Sequence, residues 1–199
     1  MENGAEHYGI VIMAGGQSRR LGTPKQLLSF RENTLLGYTI EVALSAQCGP
    51  VLVVLGSGSQ IIRAAIEAYP VVVVENEGWE EGMGSSLRVG LQEMLKVQPD
   101  TDAIIFMVCD QPFVTKSLLL CLISTQVTTG KGITASGYLG KMGTPALFQK
   151  KYFGELMELK GDTGARILLK EYDKDVVTIP FEAGITDIDT KQDYERLMN

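Results

Sequence analysis

Apolar residues fall into short unbroken runs, GIVIM at 9–13, VLVVL at 51–55, VVVV at 71–74 and IIFMV at 104–108. Between them apolar positions recur three and four apart. Unbroken β-branched runs of this length predict strands buried on both faces, and the spacing between them predicts amphipathic helices. The helical stripes are Leu36, Ile40, Ala43 and Leu44, then Ile61, Ile62, Ala65 and Ile66, then Leu87, Leu91, Met94 and Leu95. A further helix is expected around 118–123. Gly49-Pro50 and Pro70 close the first two. Strand, helix, strand in repetition means parallel pairing, helices on both faces and right-handed crossovers. The expected fold is therefore α/β, a doubly wound, mostly parallel sheet between helices. From 132 to 148 the pattern changes. Short β-prone pieces at 133–135 and 145–148, set off by Gly137, Gly140 and Gly143, predict an antiparallel excursion on the sheet edge. Residues 161–166 open a helix, 176–179 form a late strand, and 186–189 lead as a short strand into a terminal helix. No repeat or linker interrupts residues 1–199, so a single domain is expected.

A chain of 199 residues with 45% hydrophobic and 21% charged positions can bury a core without disulfides or metal staples. Cys48, Cys109 and Cys121 form no CxxC and leave an odd thiol, which fits a reducing cytoplasm. With one histidine, His7, no zinc site is expected, and no apolar run approaches the roughly 20 residues that span a bilayer. The formal net charge of -6 argues against a broad nucleic-acid surface.

Against that acidic background, residues 9–26 stand out. The first apolar run empties into a loop holding Gly15, Gly16, Gly22 and Pro24, and no Asp or Glu occurs between Glu6 and Glu32. The same stretch carries Arg19, Arg20, Lys25 and Arg31. Glycines let backbone N–H groups close on an anion, and the local positive charge points to an anionic ligand. The alternative is an ordinary strand-to-helix turn with solvated cations. The spacing is neither GxxxxGK[ST] nor GxGxxG.

Asp110 follows the run at 104–108, and open α/β sheets bind ligands beyond the carboxyl ends of their strands. Its oxygens are hard ligands suited to Mg²⁺, which takes one or two carboxylates plus substrate phosphates. Asp-x-Pro is also a common turn. Asp187 and Asp189 alternate along the expected short strand, and Thr190 with Asp193 forms a potential capping pair. Ser85 and Ser86 stand near a helix N-terminus, where they either cap the helix or help bind an anion. Trp79, in a loop, either covers the core or stacks on a flat ring. Arg166, in a first helical turn, either holds a phosphate or pairs with Asp162.

The loop A[AG]GxSxRxGxxK, read as Ala14 to Lys25, resembles the signature of nucleotidyltransferases that mature the molybdenum cofactor. CDQP at 109–112 resembles the family's metal-binding turn, and DxDT…D places the second metal ligand at Asp189. Asn76, Trp79, Gly82, Ser86, Leu87 and Gly90 resemble an NPxWxxGxxxSLxxG pattern of the cytidylyl-transferring branch, with Glu77 in place of proline. The segments at 143–148 and 161–166 resemble that branch's G[TV]PxLF and GDxGAR. Gly15-Gly16 after Ala14 is instead closer to the guanylyl-transferring branch.

The resemblance implies a Rossmann-like nucleotidyltransferase fold and transfer of a nucleoside monophosphate from CTP, with GTP as a lesser donor, to molybdopterin or molybdenum cofactor. It implies Arg20, Lys25 and Asp110 as catalytic residues, and Mg²⁺ held by Asp110 and Asp189. The nucleotide falls to Ala14, Gly15, Gly16, Gln17, Ser18, Lys25, Asn76 and Ser86, the acceptor to Trp79 and Arg166. A molybdoenzyme or its chaperone is the implied protein partner, with no nucleic acid and no membrane. Alternatives are nucleotidyl transfer to a sugar phosphate or another small phosphorylated alcohol, and a non-catalytic cofactor-insertion module.

Overall fold

In the computed structural model, which describes residues 6–198, the first apolar run is β1 (Tyr8–Ala14). After the glycine loop a small hairpin, β2 (Ser29–Phe30) and β3 (Asn33–Thr34), precedes α1 (Leu35–Ala46). Then come β4 (Val51–Leu55), α2 (Ser59–Ile66), β5 (Val72–Glu75), α3 (Met83–Val97) and β6 (Ala103–Val108). The second half holds α4 (Lys116–Thr129), β7 (Ile133–Tyr138), β8 (Lys141–Gln149), α5 (Phe153–Met157), α6 (Arg166–Glu171), β9 (Val176–Pro180) and α7 (Lys191–Met198).

The main sheet has seven strands in the order β5-β4-β1-β6-β8-β7-β9. Every pairing is parallel except those of β8 with β6 and β7, so β8 alone runs against the rest. The chain moves outward from β1 to β4 and β5, then returns across β1 to β6. The strand order therefore reverses between β1 and β6, and the carboxyl ends of these two strands open a crevice.

Alternation along the strands sends successive side chains to opposite faces. Ile10, Ile12, Val53 and Met107 pack under α1, α2 and α4, while Val11, Met13, Val54 and Phe106 pack under α3, α5 and α6. Each of these side chains that is fully buried contributes about 1.5–3 kcal/mol of apolar transfer energy; Met13, at the mouth of the crevice, keeps 7% of its surface exposed. Contact is close at Gly90, where a Cβ would lie 2.5 Å from Val11 Cγ1. α3 can approach β1 so nearly only because position 90 lacks a side chain.

Several sequence expectations change. The hairpin β7–β8 lies inside the sheet, not on its edge, and Leu147 and Phe148 are fully buried. Its unbroken apolar PALF run belongs to a strand covered on both faces. The edges are β5, whose valines are half-buried, and β9. On α2 only Ile62 and Ile66 are buried, while Ile61 and Ala65 face solvent. Residues 186–189 are irregular rather than a strand, because a 3₁₀ turn at Glu182–Ile185 follows β9 and turns the chain back over the crevice.

Candidate functional site

The crevice is walled by the loop after β1, the turn after β6, the start of α3 and the segment before α7. In the loop, Ser18 Oγ accepts from Lys25 N at 2.8 Å, and Ser18 O accepts from the N–H groups of Leu21 and Gly22, both at 3.1 Å. Ser18 thus braces the loop through its side chain and carbonyl. Among the described residues the N–H groups of Gly16, Gln17 and Ser18 find no protein acceptor, which leaves them for an anion.

Two cavities meet here. One, of about 700 Å³, is lined by Ala14, Gly15, Gly16, Gln17, Trp79 and Ser86, among others. The other, of about 340 Å³, has an apolar floor that includes Phe106, Ala146, Phe148 and Leu169, and a polar rim of Gln111, Thr144, Arg166 and Asp187. Met13, Lys25, Met83, Val108, Asp110 and Asp162 line both. The shared wall contains two of the three residues expected to be catalytic, Lys25 and Asp110; Arg20 lines neither cavity and stands outside them.

Lys25 is 12% exposed, and its Nζ lies 2.5 Å from Asp110 Oδ2 and 2.9 Å from Asp189 Oδ1. Arg20 Nη2 donates to Asp189 Oδ2 at 2.9 Å in a more open setting. Burial alone would pull the Lys25 pKa down, but the Asp110 carboxylate and the bond to Asp189 outweigh it and hold the ammonium above the ordinary lysine range. Burial pushes Asp189 up, yet Lys25 and Arg20 together keep it below the usual carboxylate range. Asp187 goes the other way. Burial and then the Asp110 charge raise it to about 6. Burial and Asp110 also push the Cys109 thiol up to about 12, so that sulfur is a neutral packing group and no nucleophile.

Asp110 and Asp189 therefore already converge on a single positive charge. Hard, anionic oxygens on either side of one cationic point suit a divalent ion that completes its shell with water and substrate phosphate. The donor set of Asp110 and Asp189 fits such an ion.

The remaining sequence candidates separate. Ser86 lines the larger cavity, but Asn76 is buried behind it, donating to Ser85 Oγ at 2.8 Å and Ser86 Oγ at 3.1 Å. Neither serine caps α3: the N-cap is Gly82, which makes no side-chain capping bond, and Ser85 Oγ donates to the carbonyls of Gly78 and Gly82. At Gly82, φ is 114° and a Cβ would fall 2.3 Å from Asp162 Oδ1, so only glycine lets the α3 N-terminus close on that loop. Trp79 sits with the glycine loop and Arg166 in the other cavity, so the two residues paired by sequence do not share a subsite. Arg166 Nη2 reaches the Tyr138 hydroxyl at 3.4 Å, and among the described residues no ion pair joins it to Asp162. Thr190 and Asp193 do form the reciprocal cap, through Thr190 N to Asp193 Oδ2 at 2.8 Å and Asp193 N to Thr190 Oγ1 at 3.2 Å.

Three features were not singled out from the sequence as site residues. Asp162 stands at the junction of the cavities. Thr144 Oγ1 donates to Gln111 Oε1 at 3.0 Å while Gln111 Nε2 holds Gly184 O at 3.1 Å, which ties the second cavity's rim to the turn before α7. Gln26 lies buried under the glycine loop. Its only sequence signal was its place next to Lys25.

Comparison with known proteins gives the chain a family. The description "MobA-like NTP transferase domain" matches residues 10–176. Rv0371c from Mycobacterium tuberculosis H37Rv is 35% identical, with a TM-score of 0.85 over 98% of this chain and 99% of that one. A second structure of it, in complex with manganese, gives 32% identity and a TM-score of 0.80 over 96% and 97%. A protein named nicotine blue oxidoreductase from Paenarthrobacter nicotinovorans is 27% identical over 94% of this chain and 95% of its own length. A molybdenum cofactor guanylyltransferase from Syntrophotalea carbinolica is 32% identical, over 51% of this chain and 43% of that protein. With the match covering most of the chain, from β1 into β9, the protein belongs to the MobA-like NTP transferase domain family.

Proposed function

We propose that this protein transfers a nucleoside monophosphate from an NTP to the terminal phosphate of molybdopterin or molybdenum cofactor. An acceptor phosphate oxygen attacks the α-phosphorus, the bond from that phosphorus to the α–β bridging oxygen breaks, and pyrophosphate leaves. The observation that carries the reading is the shared wall: the glycine-loop cavity and the apolar cavity meet at Lys25 and Asp110. Two reactants bound one in each would present their phosphates to the same two side chains.

The free loop N–H groups, Lys25 and Arg20 neutralise the triphosphate, and their contribution grows as charge develops on the leaving pyrophosphate. No protein nucleophile takes part; positioning and electrostatics carry the reaction. Asp110 and Asp189 would hold Mg²⁺, which when bound supplies further charge neutralisation at the phosphates. The manganese complex of Rv0371c supports a divalent-cation site in this family. Trp79 offers its ring to the base, and Arg166 takes an acceptor phosphate. The apolar floor of Phe106, Phe148 and Leu169 favours a flat heterocycle such as a pterin over a sugar phosphate, whose hydroxyls would lie there unpaired.

CTP as the favoured donor rests on the distributed motifs at 76–90, 109–112, 143–148 and 161–166, which the fold gathers around one crevice. The product would pass to a molybdoenzyme or its chaperone. A second reading follows from the relative named as an oxidoreductase, in which the apolar cavity holds a redox-active ring and no nucleotidyl transfer occurs. Pyrophosphate release with Mg²⁺, an NTP and a panel of acceptors tests both. Release with molybdopterin alone is expected. Release with sugar phosphates would replace the acceptor, and none with any acceptor would favour the second reading.

A further inference from the structure

Gln26 follows Lys25 in a short 3₁₀ turn, Lys25–Leu27, and is 1% exposed. Its Nε2 donates to Ala14 O, at the end of β1, at 2.6 Å and to Gly16 O, in the glycine loop, at 3.3 Å. Its Oε1 is buried and has no partner among the described residues. A flipped amide would set Oε1 against two carbonyl oxygens, so the orientation is fixed by the two donor bonds. An apolar side chain of the same length would fill the space without stranding an acceptor. The two N–H donors are what this position supplies.

Their effect follows from peptide geometry. In a planar trans peptide the C=O and the following N–H point in opposite directions. Holding Ala14 O and Gly16 O down towards the buried amide turns the N–H groups of Gly15 and Gln17 the other way, towards the cavity those residues line. The Gln17 N–H is one of the loop donors left without a protein acceptor. Adjacent residues thus act on opposite sides of the same loop: Lys25 reaches across the crevice to Asp110, and Gln26 reaches back beneath it.

We propose that Gln26 is a positioning residue that aims the loop's backbone donors at the phosphates of the nucleotide. The proposal rests on the nucleotide-binding reading above. It requires that losing the carboxamide weaken phosphate binding while leaving the acceptor cavity alone, since Gln26 does not line that cavity.

The test is titration calorimetry of α,β-methylene-CTP, α,β-methylene-GTP and CMP onto wild type, Gln26→Met and Gln26→Asn, with thermal unfolding and steady-state kinetics alongside. Gln26→Met keeps length and volume without donors. It should lose about tenfold in affinity for the triphosphate analogues, the order of one misaimed hydrogen bond to a charged group, and clearly less for CMP. The KM for NTP should rise, with the acceptor KM unchanged. Gln26→Asn, whose amide falls one methylene short, should show the same triphosphate-selective loss and decides the matter if the Met variant does not fold. Triphosphate affinity equal to wild type, or an equal loss for CMP and triphosphate, overturns the proposal. Failure of wild type to bind either analogue overturns the nucleotide reading instead, so the two failures are distinct.

Discussion

Replacing Lys25 with Met removes the one positive charge on which Asp110 and Asp189 converge. Lys25 and Asp110 are 12% and 17% exposed, whereas Asp189 is 42% exposed. Breaking a buried pair costs about 3–5 kcal/mol, because a carboxylate is left unpaired in low dielectric. Solvent screening reduces the Asp189 share to under about 1 kcal/mol. Because Arg20 still faces Asp189, the loss is concentrated at Asp110, and the expected destabilisation at pH 7 is about 3 kcal/mol. The variant should also respond differently to cations. With the ammonium gone, Mg²⁺ or Mn²⁺ can settle between the carboxylates without competition, so saturating cation should restore more stability to Lys25→Met than it adds to wild type. Urea unfolding with and without each cation measures both quantities, and turnover should fall by about 10²–10³. A variant within about 0.5 kcal/mol of wild type, or one whose stability gains no more from cation than wild type's, refutes the claim that Lys25 sits where the cation binds.

Asp110→Asn should keep the fold and abolish most divalent-cation-dependent turnover, since the amide retains the shape and loses the charge; normal turnover with an unchanged cation requirement would reject its role. Asp187 is raised from 3.8 to about 6, so its charge opposes folding fully above pH 6 and not at all below about pH 4. Because Asp187 is itself an exposed residue, solvent screening cuts the effect, and Asp187→Asn should stabilise the protein by only about 1 kcal/mol at pH 7.5, with the gain vanishing as the pH falls from 6 to 4. A gain constant across that window would show that burial and the Asp110 charge are not the cause. Gly90→Ala places a methyl against Val11 and should cost about 1–3 kcal/mol in thermal or urea unfolding with the KM values unchanged. An unchanged unfolding midpoint would mean that α3 lies further from β1.

The central strands were legible because burial on both faces leaves an unbroken apolar run, and β1, β4 and β6 each carry one. The same rule applied to PALF should have placed β8 inside the sheet. Its glycine-flanked setting suggested an edge hairpin instead, and an antiparallel partner cannot be told from a parallel one by composition. At α2 the spacing is helical, but this short helix meets the core through Ile62 and Ile66 alone, so Ile61 and Ala65 match a pattern they do not use. In the site, the glycine loop and Asp110 were readable because each directly follows a strand. What sequence could not give was distance across the chain: that Lys25 bonds Asp110 and Asp189 at once, that Trp79 and Arg166 occupy different cavities, and that Asn76 spends its amide on two serines. Gln26 carries no signal of its own in the sequence, because its two bonds go to backbone carbonyls, which every residue has.

Mass-spectrometric weighing of the products formed by purified protein with molybdopterin, Mg²⁺ and equimolar CTP and GTP decides whether nucleotidyl transfer occurs and from which donor. The expected product is a pterin dinucleotide, mostly cytosine with detectable guanine, with pyrophosphate released in equal amount. A predominantly guanine product would show that Gly15 and Gly16, and not the later motifs, set the base. No dinucleotide at all from a protein that binds both reactants would contradict nucleotidyl transfer at the Lys25–Asp110 junction.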